Sequence, residues 1–421
     1  MRKASAIEGL ARRAKEASPT LARTPTAVKD KALREMARAI RRTSGRILRV
    51  NRSEVAAARA AGKPAAFLDR LALDEKRIES IAQGLLRVAG LPDPVGKTSE
   101  FSRRPNGLDI RKMRVPLGVI AVIYESRPGV TADAAGLCLK SGNACLLRGG
   151  SEAARTNALI ADALSAGLES AGLPPGAVGF VRDTDRSAVA RLLACDRLID
   201  LVIPRGGPKL TVMVRRESMI PVLSHDKGLC HTFVDASADL GMASDICFNA
   251  KTERPGVCNA METLLVHEKV AARFLPGLAG RYRAAGVELR GCPKTRRILP
   301  GIKAASALDW DTEYLGLILS IKVVSSFEEA VEHIARHGSG LAEAIVTRDA
   351  ALGRRFQREV DSGAVFINAS TRFTDGGEFG LGAEMGISTQ KLHARGPVGL
   401  EGLTCEKFVV TGSGQIRDSR A

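Results

Sequence analysis

The run Leu117-Gly-Val-Ile-Ala-Val-Ile123 decides the fold class of this 421-residue chain. It is apolar and rich in β-branched residues, which predicts a buried strand. An Ala-rich helix is predicted at 131–139, and a second strand follows at Ala144-Cys-Leu-Leu147. Strands that alternate with helices of about ten to fifteen residues indicate a parallel sheet covered on both faces. The expected class is therefore α/β.

The same alternation continues along the chain. Helices are predicted from Ser151 to about 171 and at 187–193, 271–284 and 328–336, and strands at 176–181, 198–203, 317–324, 343–346 and 365–368. Ligands bind parallel sheets outside the carboxyl ends of the strands, so 124–128, 148–151 and 205–209 are candidate binding segments. No G-x-G-x-x-G or G-x-x-x-x-G-K-[ST] motif follows these strands. That disfavours a standard Rossmann dehydrogenase or nucleotide hydrolase.

The first 90 or so residues are predicted to form helices, and they are strongly basic. Residues 1–50 contain 14 Lys and Arg against 4 Asp and Glu, and the whole chain has a net charge of +17. A nucleic-acid face, a targeting peptide and a solvated helix face are the three interpretations. The solvated face is favoured, because aromatic residues are scarce among the basic ones and Glu8 and Glu16 interrupt the run.

Composition bounds the class of protein further. The length predicts two or three domains. The eight cysteines include no C-x-x-C pair and no Cys/His cluster, so no metal site is expected and the thiols suggest a reducing cytoplasm. No apolar run approaches the roughly 20 residues of a membrane span. Neither nucleic acid nor a membrane is expected as a partner.

Two stretches predict exposed β-structure. Asn106-Gly107 is a hairpin signal between flanks at 102–104 and 108–115, and residues 403–410 read as a late strand before a polar tail. An exposed strand edge can pair with another chain. The hairpin is therefore a candidate subunit contact.

The stretch Lys251-Thr-Glu-Arg-Pro-Gly-Val-Cys258-Asn-Ala-Met-Glu-Thr-Leu-Leu-Val-His267 contains the candidate nucleophile. Cys258 follows a Pro-Gly turn, with Lys251 and Arg254 upstream. A turn of helix is predicted at 259–263 and a strand at 264–266. A thiol at a helix N-terminus beside cations has a lowered pKa and is a nucleophile. The alternative is a small buried cysteine.

The Gly-rich segment 369–382 follows the strand at 365–368. Long polar loops inside compact enzymes are usually functional. A disordered linker is the alternative, but Phe373, Phe379 and Leu381 lie within the segment.

Several long motifs resemble one family. They are Val115-Pro-Leu-Gly-Val-Ile-Ala-Val-Ile-Tyr-Glu-Ser-Arg-Pro128, Ile203-Pro-Arg-Gly-Gly207, the stretch 251–259, and Asn368-Ala-Ser-Thr-Arg-Phe-Thr-Asp-Gly-Gly377 continuing to Pro397. From about residue 66 to 403 the chain resembles the glutamate-5-semialdehyde dehydrogenases, also called γ-glutamyl phosphate reductases, of the aldehyde dehydrogenase superfamily. This resemblance raises the expectation that Cys258 is the nucleophile.

The resemblance implies an aldehyde dehydrogenase-like fold with two parallel-sheet αβ domains and a small β oligomerisation flap. The implied parts are a cofactor-binding domain at 1–226 with the flap hairpin at 103–115, a catalytic domain at 227–385, a return segment at 386–403, an oligomerisation strand at 404–414 and a polar tail at 415–421. It also implies a homodimer or a dimer of dimers, functional coupling to glutamate 5-kinase, and a cytoplasmic location.

Site residues follow from the resemblance one at a time. The catalytic residues are Cys258 and Asn259, and the residues that bind NADP are Arg148, Ser151, Gly206, Gly207 and Glu313. The residues that bind substrate are Ser126, Arg127, Arg254, Ser370, Thr371 and Arg372, and no metal is implied. Arg372 suits a carboxylate, because its guanidinium can bind two oxygens.

The implied reaction is the NADPH-dependent reduction of L-glutamyl 5-phosphate to L-glutamate 5-semialdehyde and phosphate through a Cys258 thioester, the second step of proline biosynthesis from glutamate. Hydrolytic aldehyde dehydrogenases have a glutamate base before the second domain. The matching run Val222-Leu-Ser-His-Asp226 has none, which suits reduction of the thioester.

Leu341 and Ala342 depart from the family pattern, which has a His followed by Ser or Thr. They leave open an alternative: a paralogous reductase that acts on a different acyl phosphate or acyl thioester.

Overall fold

A computed structural model describes residues 2–225 and 227–417, and they form two compact units. The first unit contains the described residues up to Ser224, the segment Leu381–Gly386, and those from Val398 onward. The second contains His225–Gly380 and Ile387–Pro397. The domain boundary predicted at 226 and most of the tail predicted at 415–421 fall on Asp226 and on 418–421, outside the described residues.

Long helices open the first unit, as the sequence predicts. Their bounds are Arg2–Arg23 (α1), Thr26–Ala60 (α2), Ala65–Leu71 (α3) and Glu75–Gly90 (α4). In α2 one face is buried, including Leu33, Met36 and Ile40, whereas Arg34 and Arg38 between them are exposed. This arrangement is an amphipathic helix, and it agrees with the favoured interpretation of the basic residues as a solvated face.

The rest of the first unit up to Ser224 alternates strands and helices. Their bounds are Thr98–Arg103 (β1), Asp109–Pro116 (β2), Val119–Tyr124 (β3), Val130–Lys140 (α5), Ala144–Arg148 (β4), Ala154–Ser170 (α6), Val178–Phe180 (β5), Arg186–Leu193 (α7), Leu201–Arg205 (β6) and Pro208–Glu217 (α8). Four of the described strands form a parallel sheet in the order β5-β4-β3-β6. All residues of β3 are buried, so the predicted covered sheet is confirmed.

The second unit is also α/β. Its bounds are Cys230–Val234 (β7), Leu240–Thr252 (α9), Met261–His267 (β8), Glu268–Ala284 (α10), Glu288–Gly291 (β9), Pro293–Ile298 (α11), Lys303–Ala304 (β10), Ile318–Val324 (β11), Phe327–His337 (α12), Ala342–Val346 (β12), Ala350–Glu359 (α13), Ala364–Ile367 (β13), Ile387–Ser388 (β14) and Gly396–Pro397 (β15). Seven of these described strands form a parallel sheet in the order β10-β9-β11-β8-β7-β12-β13.

The core of the second unit lies on both faces of this sheet. Along β8, Leu264 and Val266 pack with side chains of α9 and α10, whereas Leu265 packs with side chains of α12 and α13. Successive side chains of a strand point to opposite faces, so a central strand covered on both sides reads as a continuous apolar run. The turn that precedes β8 is thereby fixed to a rigid strand.

A small antiparallel sheet matches the predicted flap. The strand β16 (Thr404–Thr411) pairs with β2 along its whole length, and the described order is β1-β2-β16. Gly107 has φ 88° in the turn between β1 and β2, which explains the Asn-Gly pair there. The predicted hairpin is confirmed, and its role in a subunit contact stays a prediction. Among the described helices, none is both long and apolar enough to cross a membrane.

Candidate active site

Cys258 lies in a turn between α9 and β8. The predicted turn of helix at 259–263 is wrong, because β8 begins at Met261, where it pairs with Cys230 of β7. The preceding helix α9 ends at Thr252. Cys258 is therefore not at a helix N-terminus, and the predicted helix dipole does not act on its thiol.

An apolar cluster packs against Cys258. The cluster consists of the buried residues Cys230, Leu341, Ala342, Ala364 and Ile387, with Cys258 and Phe366 partly buried against it. The thiol of Cys230 donates a long hydrogen bond to the carbonyl oxygen of Cys258 at 3.4 Å. Leu341 and Ala342, the two departures from the family pattern, are both 0% exposed. They therefore pack beneath the turn 253–260 that contains Cys258, which we call the nucleophile turn.

Gly228 lies directly against the backbone of Cys258. A Cβ at position 228 would be 2.1 Å from the carbonyl oxygen of Cys258 and 2.4 Å from its Cα. The N–H of Gly228 donates to Oε1 of Glu313 at 3.0 Å. Burial raises the pKa of Glu313, although the hydrogen bond from Gly228 opposes this. The missing side chain thus lets Glu313 and the Cys258 backbone approach the same segment.

Lys251 is not an uncompensated cation beside the thiol. Its Nζ is 2.6 Å from Oε2 of Glu262, and the two side chains are 0% and 1% exposed. Burial lowers the pKa of Lys251 and raises that of Glu262 to about 7. Arg254, the other predicted cation, is exposed. When Glu262 is ionised, its charge therefore matches that of Lys251.

Asn259 connects the nucleophile turn to the loop after β13. Its side-chain amide donates to the carbonyl oxygens of Thr374 at 2.8 Å and Arg372 at 3.4 Å. Its own carbonyl oxygen accepts from the hydroxyl of Thr371 at 2.8 Å, and its Oδ1 accepts from the Arg372 guanidinium. The structure thus brings together residues that the sequence placed more than 100 positions apart. In this conformation the Asn259 amide orders the loop.

The same loop presents Arg372 to a carboxylate. Nε of Arg372 donates to Oε2 of Glu253 at 2.6 Å, and the Arg372 side chain is 16% exposed. Ser370 is buried and its hydroxyl accepts from the backbone N–H of Arg372 at 3.3 Å, while Thr371 is fully buried. Arg372 is therefore the member of this trio with a charged group near the surface, and its present partner is an acid.

In the first unit, the predicted substrate residue Ser126 follows β3. It has φ 48°, which is unusual for a residue with a side chain, and its N–H and hydroxyl donate to Oε1 of Glu152 at 2.6 and 3.0 Å. Strained residues concentrate at functional sites. Arg127, the next residue, is exposed.

The predicted cofactor residues of the first unit follow β4 and β6. The guanidinium of Arg148 donates to the carbonyl oxygen of Thr184 at 2.9 Å, and burial lowers its pKa. Ser151 begins a short 3-10 helix, Ser151–Ala153, and is exposed. These positions lie at the carboxyl end of the sheet, as predicted for a ligand site.

The N-terminus of α8 already binds a carboxylate. The N–H of Gly207 donates to Oε2 of Glu125 at 2.9 Å, and a Cβ on Gly206 would be 2.5 Å from the same oxygen. Helix N-termini bind anionic oxygens through their unpaired N–H groups. The two glycines therefore fit the pyrophosphate of a dinucleotide. Across residues 2–225 and 227–417, no group of three or more His, Cys, Asp or Glu side chains could bind a metal ion.

Sequence reasoning missed the acidic partners of these residues. Three of these acids lie inside quoted motifs, and the fourth follows the candidate binding segment 148–151, but their partners depend on how strands and helices pack. They are Glu262, Glu253, Glu125 and, after the binding segment, Glu152. Gly228 carried no signal of its own, because a glycine outside a positive-φ turn looks like any loop residue. Only the fold places it against Cys258.

Comparisons with known proteins identify the family of the chain. The sequence matches the model of the aldehyde dehydrogenase family at residues 1–305 and 297–390. It is 54% identical to the γ-glutamyl phosphate reductase of Caldanaerobacter subterraneus subsp. tengcongensis, over 98% of this chain and 99% of that protein. The chain belongs to the γ-glutamyl phosphate reductase family of aldehyde dehydrogenases. The resemblance stated from its motifs is confirmed, and the enzyme is an oxidoreductase.

Two further members of this family support the assignment. The γ-glutamyl phosphate reductase of Moorella thermoacetica is 53% identical over 98% of both chains. The crystal structure of the Thermotoga maritima γ-glutamyl phosphate reductase is 47% identical, with a TM-score of 0.96 over 98% of this chain and 100% of that chain. The aldehyde dehydrogenase-like α/β fold is thereby confirmed. Membership of the aldehyde dehydrogenases also implies a nicotinamide cofactor.

Proposed function

We propose that the enzyme reduces L-glutamyl 5-phosphate to L-glutamate 5-semialdehyde and phosphate with NADPH, as the second step of proline biosynthesis from glutamate. The observation that supports this most is the hydrogen bonding of Asn259, which joins the turn of Cys258 to the loop of Arg372. A nucleophile and a carboxylate-binding cation are thus on connected segments, as a substrate with a reacting γ-carbonyl and an α-carboxylate needs.

Cys258 forms the covalent intermediate in this proposal. The Cys258 thiolate bonds to the γ-carbonyl carbon, the bond from that carbon to the phosphate oxygen breaks, and phosphate leaves with the electron pair. The apolar cluster beneath Cys258 keeps water away from that side of the thioester. The backbone N–H of Cys258 is the proposed donor to the developing oxyanion.

Arg372 binds the α-carboxylate of the substrate, and Ser370 and Thr371 shape its loop. Glu253 is 48% exposed and now accepts from Arg372, so a substrate carboxylate can replace it. Arg254 and Arg127, both exposed, are the proposed partners of the leaving phosphate, and Ser126 is a further proposed substrate residue.

Arg148, Ser151, Gly206, Gly207 and Glu313 are the proposed cofactor residues. The glycines accommodate the pyrophosphate, Arg148 favours NADP through its positive charge near the adenosine ribose, and Glu313 accepts from a ribose hydroxyl. When bound, the nicotinamide supplies the two-electron reduction of the thioester. The reduced carbon stays bonded to the Cys258 sulfur as a thiohemiacetal. When the hydroxyl of the thiohemiacetal loses its proton, the C–S bond breaks, which releases the semialdehyde and restores the Cys258 thiolate.

The alternative of a different acyl phosphate or acyl thioester rested on Leu341 and Ala342. Both side chains are fully buried beneath Cys258, so they are not positioned to select a substrate from solvent. This burial favours glutamyl phosphate over the alternative. The homodimer or dimer of dimers, the coupling to glutamate 5-kinase and the cytoplasmic location complete the proposal.

A coupled assay tests the proposed function. Glutamate 5-kinase generates glutamyl phosphate in situ, and the loss of NADPH is followed against the same mixture with NADH. An aspartate kinase supplies aspartyl phosphate, which is shorter by one methylene, as the comparison substrate. We expect NADPH loss with glutamyl phosphate only. Faster turnover of aspartyl phosphate, or none of either, would contradict the proposal.

A further inference from the structure

The buried pair of Lys251 and Glu262 is the feature that the proposed mechanism does not use. Both side chains are inaccessible, and their charged atoms are 2.6 Å apart. Removing two charges from water is costly, and an apolar pair of similar volume often stabilises a protein as well or better. Lys251 lies seven positions before Cys258 and Glu262 four positions after it, so we looked for a function of this pair other than stability.

The second oxygen of Glu262 has a specific partner. Oε1 of Glu262 accepts from the backbone N–H of Leu315 at 3.1 Å. Leu315 has φ 52°, a left-handed conformation that is unfavourable for a residue with a Cβ. Its side chain is 46% exposed, so core packing does not impose this conformation. In this conformation the N–H of Leu315 is directed at Glu262.

The turn 313–315 adjoins both the segment before Cys258 and Gly228. Before Cys258, the carbonyl oxygen of Leu315 is 3.8 Å from where a Cβ of Gly256 would be. Glu313 accepts from the N–H of Gly228, and Gly228 lies against the backbone of Cys258. A shift of the turn 313–315 would therefore move Glu313 and disturb Gly228 and Gly256, the residues it contacts near Cys258.

We propose that Glu262, held in place by Lys251, is a positioning residue that fixes the turn 313–315 and so aims Glu313 at the cofactor while supporting Cys258. The proposal rests on the proposed function, because the cofactor role of Glu313 belongs to it. Glu262 acts through other residues and does not touch substrate or cofactor. Lys251 keeps Oε2 engaged, which leaves Oε1 directed at Leu315.

Two double variants separate positioning from stability. K251M/E262Q and K251M/E262M both remove both charges, so neither leaves a lone buried ion. The glutamine oxygen can still accept from the N–H of Leu315, whereas methionine cannot. The KM for NADPH, kcat and the melting temperature are measured for both, with the rate at which iodoacetamide alkylates Cys258.

We expect the KM for NADPH to be at least about tenfold higher in K251M/E262M than in K251M/E262Q. We also expect K251M/E262M to have the lower kcat, and the rate at which iodoacetamide alkylates Cys258 to differ between the two variants. Rescue by the glutamine variant is a result that a merely structural pair would not give. Equal KM values in the two variants, with equally lowered melting temperatures, would overturn the proposal. An inactive wild type in the same assay would instead contradict the proposed function.

Amide hydrogen exchange of the wild type gives a second test that needs no variant. The N–H of Leu315 should exchange at least about 100-fold more slowly than an exposed amide, and NADP⁺ should slow it further. Fast exchange that does not respond to NADP⁺ would overturn the proposal even if both double variants fail to fold.

Discussion

Replacing Gly228 with alanine tests the packing of the nucleophile turn. The new Cβ would lie 2.1, 2.4 and 2.6 Å from the O, Cα and C atoms of Cys258, whereas ordinary contacts begin at 3.4 Å. These are backbone atoms, so no side-chain rotation relieves the clash, and the two segments must separate by roughly 1 Å. A misplacement of about 1 Å at a reacting group costs on the order of 10²-fold in rate. Overpacking costs about 1–3 kcal/mol of stability.

The assay compares kcat/KM and the urea midpoint of Gly228→Ala with those of the wild type. We expect kcat/KM to fall about 100-fold in a protein that still folds. Gly280→Ala is the matched control, because Gly280 lies in α10 and a Cβ there meets nothing within 4 Å. It should keep full activity and gain about 0.5–1 kcal/mol of stability. A Gly228→Ala enzyme with activity within about threefold of the wild type would refute the reasoning.

Three further perturbations test the nucleophile, the strand β16 and the Lys251–Glu262 pair. Cys258→Ala should abolish turnover while NADP⁺ still binds, because no thioester can form without the thiol; residual turnover by the variant would contradict this. Phe408 and Val410 are 69% and 52% exposed on β16, so Phe408→Lys with Val410→Lys should give monomers in sedimentation, whereas the control Thr411→Lys should not. A wild type that sediments as a monomer at micromolar concentration would remove the basis of that prediction. Burial raises the pKa of Glu262 from 4.5 to about 7, so its contribution to stability is present below pH 4.5 and is lost as the pH rises through about 7. Between about pH 5 and 7 the free energy of unfolding of the wild type should therefore fall by up to about 1.4 kcal/mol per pH unit relative to that of K251M/E262M. If the urea midpoints of the two proteins change with pH in the same way, the pKa of Glu262 is not raised.

Much of the fold could be predicted from the sequence, because strands and turns are encoded by residues that are neighbours in the chain. The apolar run at 117–123 predicted a buried strand, and the structure has β3 at Val119–Tyr124 with every residue buried. Asn106-Gly107 predicted the hairpin because a left-handed turn residue is encoded by the glycine itself. Element boundaries differ by a few residues, since capping and pairing, not periodicity, end a strand or helix.

The site could be predicted only in part, because its contacts join residues that are far apart in the sequence. The motif identified Cys258 and Arg372, but not that Asn259 links them, which requires β8 and the loop after β13 to meet. The sequence predicted that Lys251 lies beside the Cys258 thiol. In the structure Lys251, at the end of α9, pairs with Glu262. The 259–263 segment has helix-compatible residues, and pairing of Met261 with β7 overrides that local preference.

In the proposed mechanism the Cys258 thioester exchanges with phosphate and not with water. The run 222–226 contains no glutamate to act as a hydrolytic base, and a positioned general base contributes roughly 10²–10⁴-fold.

The most direct measurement is the oxidation of glutamate semialdehyde, supplied as pyrroline-5-carboxylate, by NADP⁺ with and without phosphate. We expect NADPH formation to fall by about 100-fold or more when phosphate is removed, and arsenate to restore it. Equally fast oxidation without either anion, with release of free glutamate, would contradict the account and would make His225 the first residue to test as a base that activates water.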